Sequence, residues 1–155
     1  MPSDLILSKI DESDVEEILY IVRNSFNTDR FYVDPLIDKK ISSIRYENWF
    51  MNNLNNPDYD YYKIYSKKDN KILGFQMVKN GNPSYLALGG IHPNYQGKGL
   101  FGLLYAKLFN ERFEKGEKHF LGSVSSLNIE AVNLNFFFGA KVKEFKIVLR
   151  KIYDK

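Results

Sequence analysis

A polar, glycine-rich turn within residues 90–101 constrains the fold more than any other part of the chain. The apolar run that ends at Ile91 predicts a strand, and the apolar periodicity that begins at Leu100 predicts a helix. A helix begins with unpaired backbone N–H groups at the positive end of its dipole, and glycine lets such a backbone approach an anion closely. The turn therefore predicts a phosphate-binding site at a strand-to-helix junction.

Two other phosphate-binding patterns fit this turn poorly. The Walker A pattern requires a serine or threonine directly after its lysine, but Gly99 follows Lys98. The dinucleotide-binding pattern G-x-G-x-x-G is present at residues 97–102, although residues 92–96 separate it from the strand. About fifty residues follow it, which is too few for the further strand–helix units of a doubly wound sheet. A third pattern fits better.

Residues 96–101, with the sequence Gln-Gly-Lys-Gly-Leu-Phe, resemble the acyl-CoA loop Q/R-x-x-G-x-G/A of the GNAT superfamily of N-acetyltransferases. The hydrophobic-x-Pro lead-in of that family is present as Ile91-His92-Pro93. Phe101 departs from the pattern, because the family has glycine or alanine there. The resemblance implies that acetyl-CoA is the co-substrate and that its pyrophosphate is bound by Gln96, Gly97, Lys98, Gly99, Leu100 and Phe101.

The predicted elements follow the order β-α-α-β-β-β-α-β-α-β, which is the order of the GNAT fold. Strands are predicted at residues 5–9, 61–66, 71–79, 84–91, 119–125 and 142–152. Helices are predicted after residue 13, at residues 39–55, from residue 97 or 98 to 115, and at residues 129–138. We expect a single domain over residues 1–155, an α/β sandwich around a mixed, mostly antiparallel, twisted sheet of six to seven strands.

Local signals make narrower predictions about three helices. Ser13 and Glu16 have the spacing of a capping box at the start of the first helix. The second helix has one apolar face of isoleucines and another of aromatic residues: Ile37, Ile41 and Ile44, then Tyr46, Trp49 and Phe50. In the helix after the glycine turn, two adjacent columns with a spacing of four residues predict a wide buried stripe: Leu100, Leu104 and Leu108, then Phe101, Tyr105, Phe109 and Phe113.

Composition excludes several functional classes. The chain has no cysteine, which excludes a disulfide framework, a zinc ribbon and thiol catalysis, and its two histidines are far apart, so no metal site is expected. The net charge of +3 is scattered along the chain, which favours a solvated surface over nucleic-acid binding. No apolar run is long enough to span a membrane and no signal sequence is recognisable, so we expect a cytoplasmic monomer or homodimer.

A second motif supports the GNAT resemblance. Asn128, Ala131, Leu134 and Gly139 match a family pattern N-x-x-A-x-x-L/F-Y that ends in glycine. The resemblance implies that Asn128 contacts the pantetheine arm of the cofactor, while the residue is also a candidate N-cap for the following helix. Many family members protonate the leaving thiolate with a tyrosine seven residues after this asparagine, where this chain has Asn135. Without that tyrosine, water or another tyrosine such as Tyr105 protonates the thiolate, or catalysis is slower. A further alternative is that the chain binds acyl-CoA without turning it over.

Two N-terminal stretches, residues 26–34 and 46–52, resemble nucleotide-sugar N-acetyltransferases of the TDP-fucosamine acetyltransferase type. That resemblance implies a small-molecule amine acceptor, first of all a nucleotide-linked amino sugar, bound by Arg30, Phe31, Asp34, Tyr46 and Trp49. The alternative interpretation is that Phe31 and Trp49 belong to the core and that Arg30 pairs with Asp34. Another small amine, a protein amine, or a non-catalytic role in acyl-CoA binding also stays open.

The resemblance also implies how the acetyl group is activated. A backbone N–H of Gly89 or Ile91 is the expected oxyanion donor, and the Gly89-Gly90 pair suits a β-bulge with close backbone approach. The strand that ends at Ile91 contains no aspartate or glutamate, so Asp34 and Glu47 are the candidate bases. With Asn135 in the usual tyrosine position, no acid is assigned.

Overall fold

Five strands form one mixed sheet in the computed structural model, which describes residues 4–149 and 151. In their order across the sheet, the strands are β1 (Leu5–Lys9), β2 (Tyr59–Ser66), β3 (Ile72–Lys79), β4 (Ser84–Ile91) and β5 (Phe120–Gly122). Strands β1 to β4 pair antiparallel, and β5 pairs parallel with β4. The predicted α/β class and mostly antiparallel sheet are confirmed, with five strands in the described residues instead of the expected six to seven.

The described residues form five α-helices, and four of them pack on the two faces of this sheet. The five are α1 (Val15–Ser25), α2 (Arg30–Val33), α3 (Lys39–Asn53), α4 (Leu100–Glu114) and α5 (Ile129–Phe137). Helices α1 and α3 pack on one face, whereas α4 and the end of α5 pack on the other. Helix α4 connects β4 to β5, because two parallel strands need a crossover between them.

The cap that precedes α1 differs from the predicted one. The Asp11 carboxylate accepts hydrogen bonds from the backbone N–H and the hydroxyl of Ser13. In return, the Asp14 carboxylate accepts a hydrogen bond from the Asp11 backbone N–H at 2.8 Å. This capping box encloses a short 3₁₀ turn (Glu12–Asp14) ahead of the helix. The predicted box at Ser13 and Glu16 is therefore wrong by two residues, since aspartate caps a helix as well as serine does.

The core between the sheet and helices α1 and α3 is built around aromatic rings. Phe50 of α3 is fully buried and makes edge-to-face contacts with Tyr61 of β2 and Phe75 of β3, at centroid distances of 5.6 and 5.9 Å. Ile41 and Ile44, on the other predicted apolar face of α3, are exposed. A helix on a sheet surface buries one face only, and the aromatic face contributes more area.

The predicted buried stripe of α4 is confirmed except at its end, where Phe113 is exposed. Leu104 and Leu108 are fully buried against the sheet, and Tyr105 lies beside them. Phe109 extends the stripe to the edge of the sheet, where its ring packs against that of Phe120 in β5 at a centroid distance of 4.9 Å. The same helix therefore fills one core and holds the short last strand in place.

The strand predicted at residues 142–152 is not formed in the part that the structure describes. Residues 142–149 and Lys151 have no regular secondary structure, and Ile152 lies outside the described residues. The apolar side chains that alternate along this stretch are exposed, with Phe145 at 86% and Leu149 at 88%. Alternation predicts an extended segment, but a strand also needs a neighbouring strand for its hydrogen bonds, and that partner is decided outside the segment.

Arg112 of α4 ties the helix to β2 and to the loops that follow β3 and α4 through its buried guanidinium, which is 4% exposed. Its Nη1 contacts Glu117 at 2.6 Å and Asp60 of β2 at 3.1 Å, and its Nη2 donates to Asn80 Oδ1 at 2.8 Å. The guanidinium also lies over the ring of Tyr62. Removal of a buried cation with this many partners is costly, because Glu117 loses its cation and Asp60 keeps only Lys9, at 2.5 Å.

We expect Arg112→Ala to lower the free energy of unfolding by about 3–5 kcal/mol, because the partly buried Glu117 carboxylate loses its cation and Asp60 keeps only its pair with Lys9. Lys115→Ala on the same helix is the matched control, since Lys115 is exposed and pairs with Glu111 at 2.6 Å on the surface; such pairs contribute little. Urea unfolding followed by circular dichroism measures both. Equal midpoints for the two variants would show that the Arg112 cluster does not stabilise the fold.

Candidate functional site

An opening between β4 and β5 is the most distinctive feature of the sheet. Strand β4 runs over eight residues, but only Ser84, Tyr85 and Leu86 have partners in β5. β5 ends opposite Leu86, and no described residue of β5 lies beside the rest of β4. The second half of β4 therefore presents a free backbone edge in the interior of a sheet.

A bulge in β4 lies at the point where this opening begins. Val78 pairs with Leu86 and Met77 pairs with Leu88, so Ala87 is an extra residue on β4. Bulges bend a strand and increase its local twist, which directs the following residues away from β5. The prediction of a bulge at Gly89-Gly90 is wrong, because both glycines pair in regular register with β3.

The backbone N–H groups of Gly89 and Ile91 face this opening. The N–H of His92 donates to Leu73 of β3 at 2.9 Å, whereas the carbonyl of Ile91 accepts from Ser25 Oγ and Gln96 Nε2, both at 3.2 Å. Successive peptide groups of a strand point in alternate directions. Ile91, and by the same alternation Gly89, therefore turn their peptide groups away from β3 towards the side that β5 has left.

Gly89 is glycine for reasons of space. A Cβ at this position would overlap the Oε1 atom of Gln76 and lie 3.0 Å from the ring of Phe101. Gln76 is 2% exposed, its Nε2 donates to the Met77 carbonyl at 2.9 Å, and its Oε1 has no hydrogen-bond partner in the described residues. Side chains on the α4 face of the sheet therefore leave no room for a Cβ at Gly89.

The glycine turn adopts the backbone conformation that its sequence suggests. Gly97 and Gly99 have φ angles of 73° and 71°, in the left-handed region that favours glycine, and a Cβ on either would meet no atom within 4 Å. Gly99 is the N-cap of α4 and offers no side-chain cap to the first N–H groups of the helix. Lys98 lies close by, with its Nζ donating to the Asn94 carbonyl at 3.1 Å.

A shallow groove of about 390 Å³ lies next to this turn. It runs between the start of α4 and the end of α5, and its lining includes Lys98, Leu103 and Phe137. Its walls are mainly apolar side chains, with a cation and the start of a helix at one end. A groove of this kind suits an extended ligand that carries an anionic group at one end.

Asn128, which caps α5, and Asn135 within it both make hydrogen bonds to the backbone of the helix. Asn128 is the N-cap: its Oδ1 accepts from the backbone N–H of Ala131 at 3.0 Å, which confirms the predicted capping role. Asn135 donates through Nδ2 to the carbonyl of Ala131 at 2.7 Å. Tyr105 lies in an aromatic cluster with Phe101 and neighbouring rings, and burial raises the pKa of its hydroxyl.

Sequence reasoning missed Asp29 and Arg45 in the proposed acceptor region. The Asp29 carboxylate is the N-cap of α2 and accepts from Ser42 Oγ at 3.1 Å. The Arg45 guanidinium lies 4.2 Å from the ring centroids of both Phe31 and Tyr46, and its buried Nε has no hydrogen-bond partner in the described residues. The spacing of Asp29 ahead of a helical turn could have identified it as a cap, whereas the stacking of Arg45 depends on how α2 meets α3.

The other predicted acceptor residues divide into an aromatic group in the core and an exposed arginine. Tyr46 is 8% exposed and stacks with Phe26 and Trp49 in the core, as the alternative interpretation expected for Trp49. Arg30 is exposed and lies over the ring of Phe31 at 4.7 Å.

Neither candidate base is free of protein contacts. Asp34 Oδ1 accepts from the Leu36 backbone N–H at 3.0 Å. Glu47 contacts the Nε of Arg23 at 2.9 Å.

A hydrogen bond connects this acceptor region to the opening in the sheet. Ser125, in the loop after β5, donates through its hydroxyl to the Thr28 carbonyl at 2.8 Å. Thr28 directly precedes the Asp29 cap of α2. The loop after β5 is therefore tied to the segment that leads into α2.

His92 has a structural role, as its position in the lead-in turn suggested. Its ring lies between those of Tyr20 and Tyr95, and its Nδ1 accepts from the Asn94 backbone N–H at 3.3 Å. Burial lowers the pKa of the imidazole, so the neutral form that accepts this bond is favoured at neutral pH.

Within residues 4–149 and 151, no group of three histidine, aspartate or glutamate side chains is arranged to hold a metal ion. The same residues include no helix that is long and apolar enough to cross a membrane.

Solved structures share this architecture. A Pyrococcus furiosus protein assigned as an acetyl transferase has a TM-score of 0.72 at 19% identity, over 96% of this chain and 100% of that one. The PaiA N-acetyltransferase of Thermoplasma acidophilum, in complex with coenzyme A, has a TM-score of 0.69 at 20% identity, over 92% of each chain. The ribosomal-protein-S18-alanine N-acetyltransferase of Escherichia coli has a TM-score of 0.66 at 18% identity, over 87% of this chain and 76% of that one. The chain shares the fold of these acetyltransferases.

Among curated proteins, the spore coat polysaccharide biosynthesis protein SpsD of Bacillus subtilis is 24% identical to this chain over 122 residues. The match covers 78% of this chain and 42% of SpsD, so the chain spans less than half the length of that relative. No protein-family profile matches the chain.

We expect Gly89→Ala to destabilise the protein by about 1–3 kcal/mol, because the new methyl group overlaps the buried Gln76 amide and crowds Phe101. In the double variant Gln76→Ala/Gly89→Ala, the overlapping amide is absent, so the loss is smaller than the sum of the single losses. Denaturant unfolding of the unchanged chain, Gln76→Ala, Gly89→Ala and the double variant measures this coupling. Strictly additive losses would show that Gln76 does not restrict position 89.

Proposed function

We propose that the chain is an N-acetyltransferase that moves an acetyl group from acetyl-CoA directly to a primary amine, with a nucleotide-linked amino sugar as the acceptor. The observation that carries the proposal is the opening between β4 and β5, where the outward-turned N–H groups of Gly89 and Ile91 lie on the same strand that leads into the glycine turn. The fold shared with acetyltransferases, one of them bound to coenzyme A, supports it.

Acetyl-CoA occupies the turn and the opening in this proposal. Its pyrophosphate accepts hydrogen bonds from backbone N–H groups of residues 96–101, where the left-handed glycines leave space and Lys98 adds a positive charge. The pantetheine arm pairs with the free edge of β4 as an added strand. Asn128 keeps its Oδ1 on the helix cap, so its Nδ2 is the group that faces pantetheine.

Acetyl transfer then needs little more than positioning and one oxyanion site. The neutral amine nitrogen attacks the thioester carbonyl carbon, and the carbonyl oxygen takes up negative charge as the N–C bond forms. The N–H of Gly89 or Ile91 donates a hydrogen bond to that oxygen. Collapse of the intermediate breaks the C–S bond and releases the amide and the coenzyme A thiolate.

Two protons move in this proposal, one away from the amine and one onto the thiolate. Glu47 is already bound to Arg23, so Asp34 or a chain of water molecules accepts the proton from the amine. Asn135 cannot protonate the thiolate, and the raised pKa of Tyr105 makes that phenol a weaker acid than usual. A thiolate whose conjugate acid has a pKa of about 8.5 is a fair leaving group near neutral pH, and water protonates it afterwards.

The amino-sugar assignment rests on the region around α2. Arg30 is exposed and lies over the Phe31 ring, and the guanidinium of Arg45 lies over the same ring. Guanidinium groups bind diphosphates well. The match to a polysaccharide biosynthesis protein supports a sugar-linked acceptor.

A non-catalytic acyl-CoA-binding module is the second candidate. Two observations favour it: Asn135 stands in place of the usual tyrosine, and the ring of Phe101 lies close to Gly89. Binding of one acetyl-CoA per chain with no release of thiol across a panel of sugar, small-molecule and protein amines would support this candidate against the enzyme.

We expect Gly99→Trp to weaken acetyl-CoA binding at least about tenfold, because the indole occupies the space in front of the first N–H groups of α4. Gly116→Trp is a matched control: its φ of 88° imposes the same backbone strain, and a Cβ there also meets no atom within 4 Å, but it lies after the other end of the helix. Calorimetric titration measures both. Normal binding by Gly99→Trp would refute the cofactor site.

We expect Arg30→Ala to raise the KM for a nucleotide-linked amino sugar about tenfold or more while acetyl-CoA affinity stays unchanged, because it removes a cation from the acceptor side only. Lys40→Ala, an exposed cation at the start of α3, is the control and should leave both values unchanged. Thiol release measures the kinetics. An unchanged KM in Arg30→Ala would show that the acceptor binds elsewhere. That result would refute the acceptor site alone and not the acetyl transfer.

A further inference from the structure

Helix α2, which carries the proposed acceptor residues Arg30 and Phe31, has little of its own to hold it in place. It is four residues long, and none of the four is buried. An isolated helix of this length is unstable, because a single turn of hydrogen bonds does not offset the entropy lost in fixing its backbone. The position of α2 therefore depends on contacts from outside the helix.

The carboxylate of Asp29 joins α2 to α3. Its Oδ1 caps α2 by accepting from the backbone N–H groups of Phe31 at 2.8 Å and Tyr32 at 3.4 Å. Its Oδ2 accepts from the hydroxyl of Ser42, a fully buried residue of α3, at 3.1 Å. Arg45 follows Ser42 by one turn of α3, and its Nη2 lies 3.7 Å from Asp29 Oδ1. Both carboxylate oxygens thus attach the start of α2 to α3.

Arg45 also contacts one of the proposed acceptor residues directly. Its guanidinium carbon lies 4.2 Å from the ring centroid of Phe31 in α2 and 4.2 Å from that of Tyr46 in α3. Its Nε is buried and has no hydrogen-bond partner among the residues that the structure describes. A buried donor without a partner costs free energy. The two rings and Asp29, and not a hydrogen bond of Nε, therefore set the orientation of this guanidinium.

We propose that Arg45 is a positioning residue: it fixes α2 against α3 and so sets where Arg30 and Phe31 meet the acceptor. Arg30 touches the acceptor in this arrangement, whereas Arg45 acts through α2. The inference rests on the proposed function for the identity of the acceptor, but the attachment of α2 by Arg45 can be tested without any activity.

The planar shape of the guanidinium is what this position uses. Lysine at position 45 would keep the positive charge, but its compact ammonium group cannot contact both rings and the Asp29 carboxylate together. A residue that served only as a charge for the acceptor could be replaced by lysine. Arg45→Lys therefore separates positioning from simple attraction.

Amide hydrogen exchange of the chain without substrate tests the attachment. The backbone N–H groups of Phe31, Tyr32 and Val33 all donate to Asp29, that of Val33 to its carbonyl at 3.0 Å. We expect Arg45→Lys to raise the exchange rate of a peptide that contains these three amides at least about fivefold, while peptides of α4 keep their rate. An unchanged exchange rate of α2 would overturn the proposal whatever the kinetics show.

Steady-state kinetics tests the effect on the acceptor. We expect Arg45→Lys and Arg45→Ala alike to raise the KM for a nucleotide-linked amino sugar about tenfold, with kcat within about twofold and acetyl-CoA affinity unchanged, because the cofactor turn lies on other elements. If the lysine variant kept the KM of the unchanged chain, Arg45 would act as a charge alone and the proposal would fail. An equal loss of acetyl-CoA affinity would also overturn it, since the effect would then be general.

Lys39→Ala is the matched control. Lys39 is a cation at the start of α3 whose Nζ lies 4.5 Å from the ring centroid of Tyr32 in α2, but its side chain is exposed. Cation–π contacts at exposed sites contribute little, so this variant should match the unchanged chain in both measurements. Equally fast exchange of α2 in Lys39→Ala and Arg45→Lys would overturn the special role of Arg45.

The two measurements separate this inference from the proposed function. Absence of acetyl transfer by the unchanged chain would refute the proposed function and, with it, the acceptor role of α2. Hydrogen exchange would still decide whether Arg45 attaches α2 to α3, because it needs neither cofactor nor acceptor.

Discussion

The extra residue at Ala87 is the constraint on which the rest of the site depends. Ala87 shifts the register of β4 with β3 by one residue. The pairing of β4 with β5 ends at the preceding residue, so the shift and the opening in the sheet coincide. A regular sheet would use the peptide groups of Gly89 and Ile91 in a ladder with β5. The bulge leaves them turned towards the opening, held by the β3 ladder on their other side, and backbone groups held in this way are well suited to stabilise a developing negative charge.

The cores on the two sides of the sheet hold this edge rigid. On one side, the Ser25 hydroxyl at the end of α1 donates to the Ile91 carbonyl. On the other, Gln76 and Phe101 cover Gly89 so closely that no side chain fits there. Helix α4 takes part in both the packing and the site, because its first turn presents N–H groups while Leu104 anchors it to the sheet. The cofactor turn is therefore coupled to the core.

Local chemistry accounts for the parts of the site that the sequence predicted. Left-handed glycines at Gly97 and Gly99, and an asparagine cap at Asn128, each follow from a few neighbouring residues. The acceptor region was harder to predict from the sequence, because the stacking of Arg45 on Phe31 joins α2 and α3. The burial of the Arg45 Nε follows only from the packing of these two helices. The bulge was placed at the glycines because they signal close approach, but the register shift falls two residues earlier.

The sequence by itself determined the order of the longer elements from β1 to α5, the strand-to-helix turn and the buried stripe of α4, because periodicity and turn chemistry act over a few residues. Tertiary structure decided which of two apolar faces of α3 is buried, where β4 leaves β5, and that residues 142–149 remain outside their own sheet. Those outcomes depend on competition between surfaces that are far apart in the chain, and alternation alone cannot tell a strand which edge it will pair with.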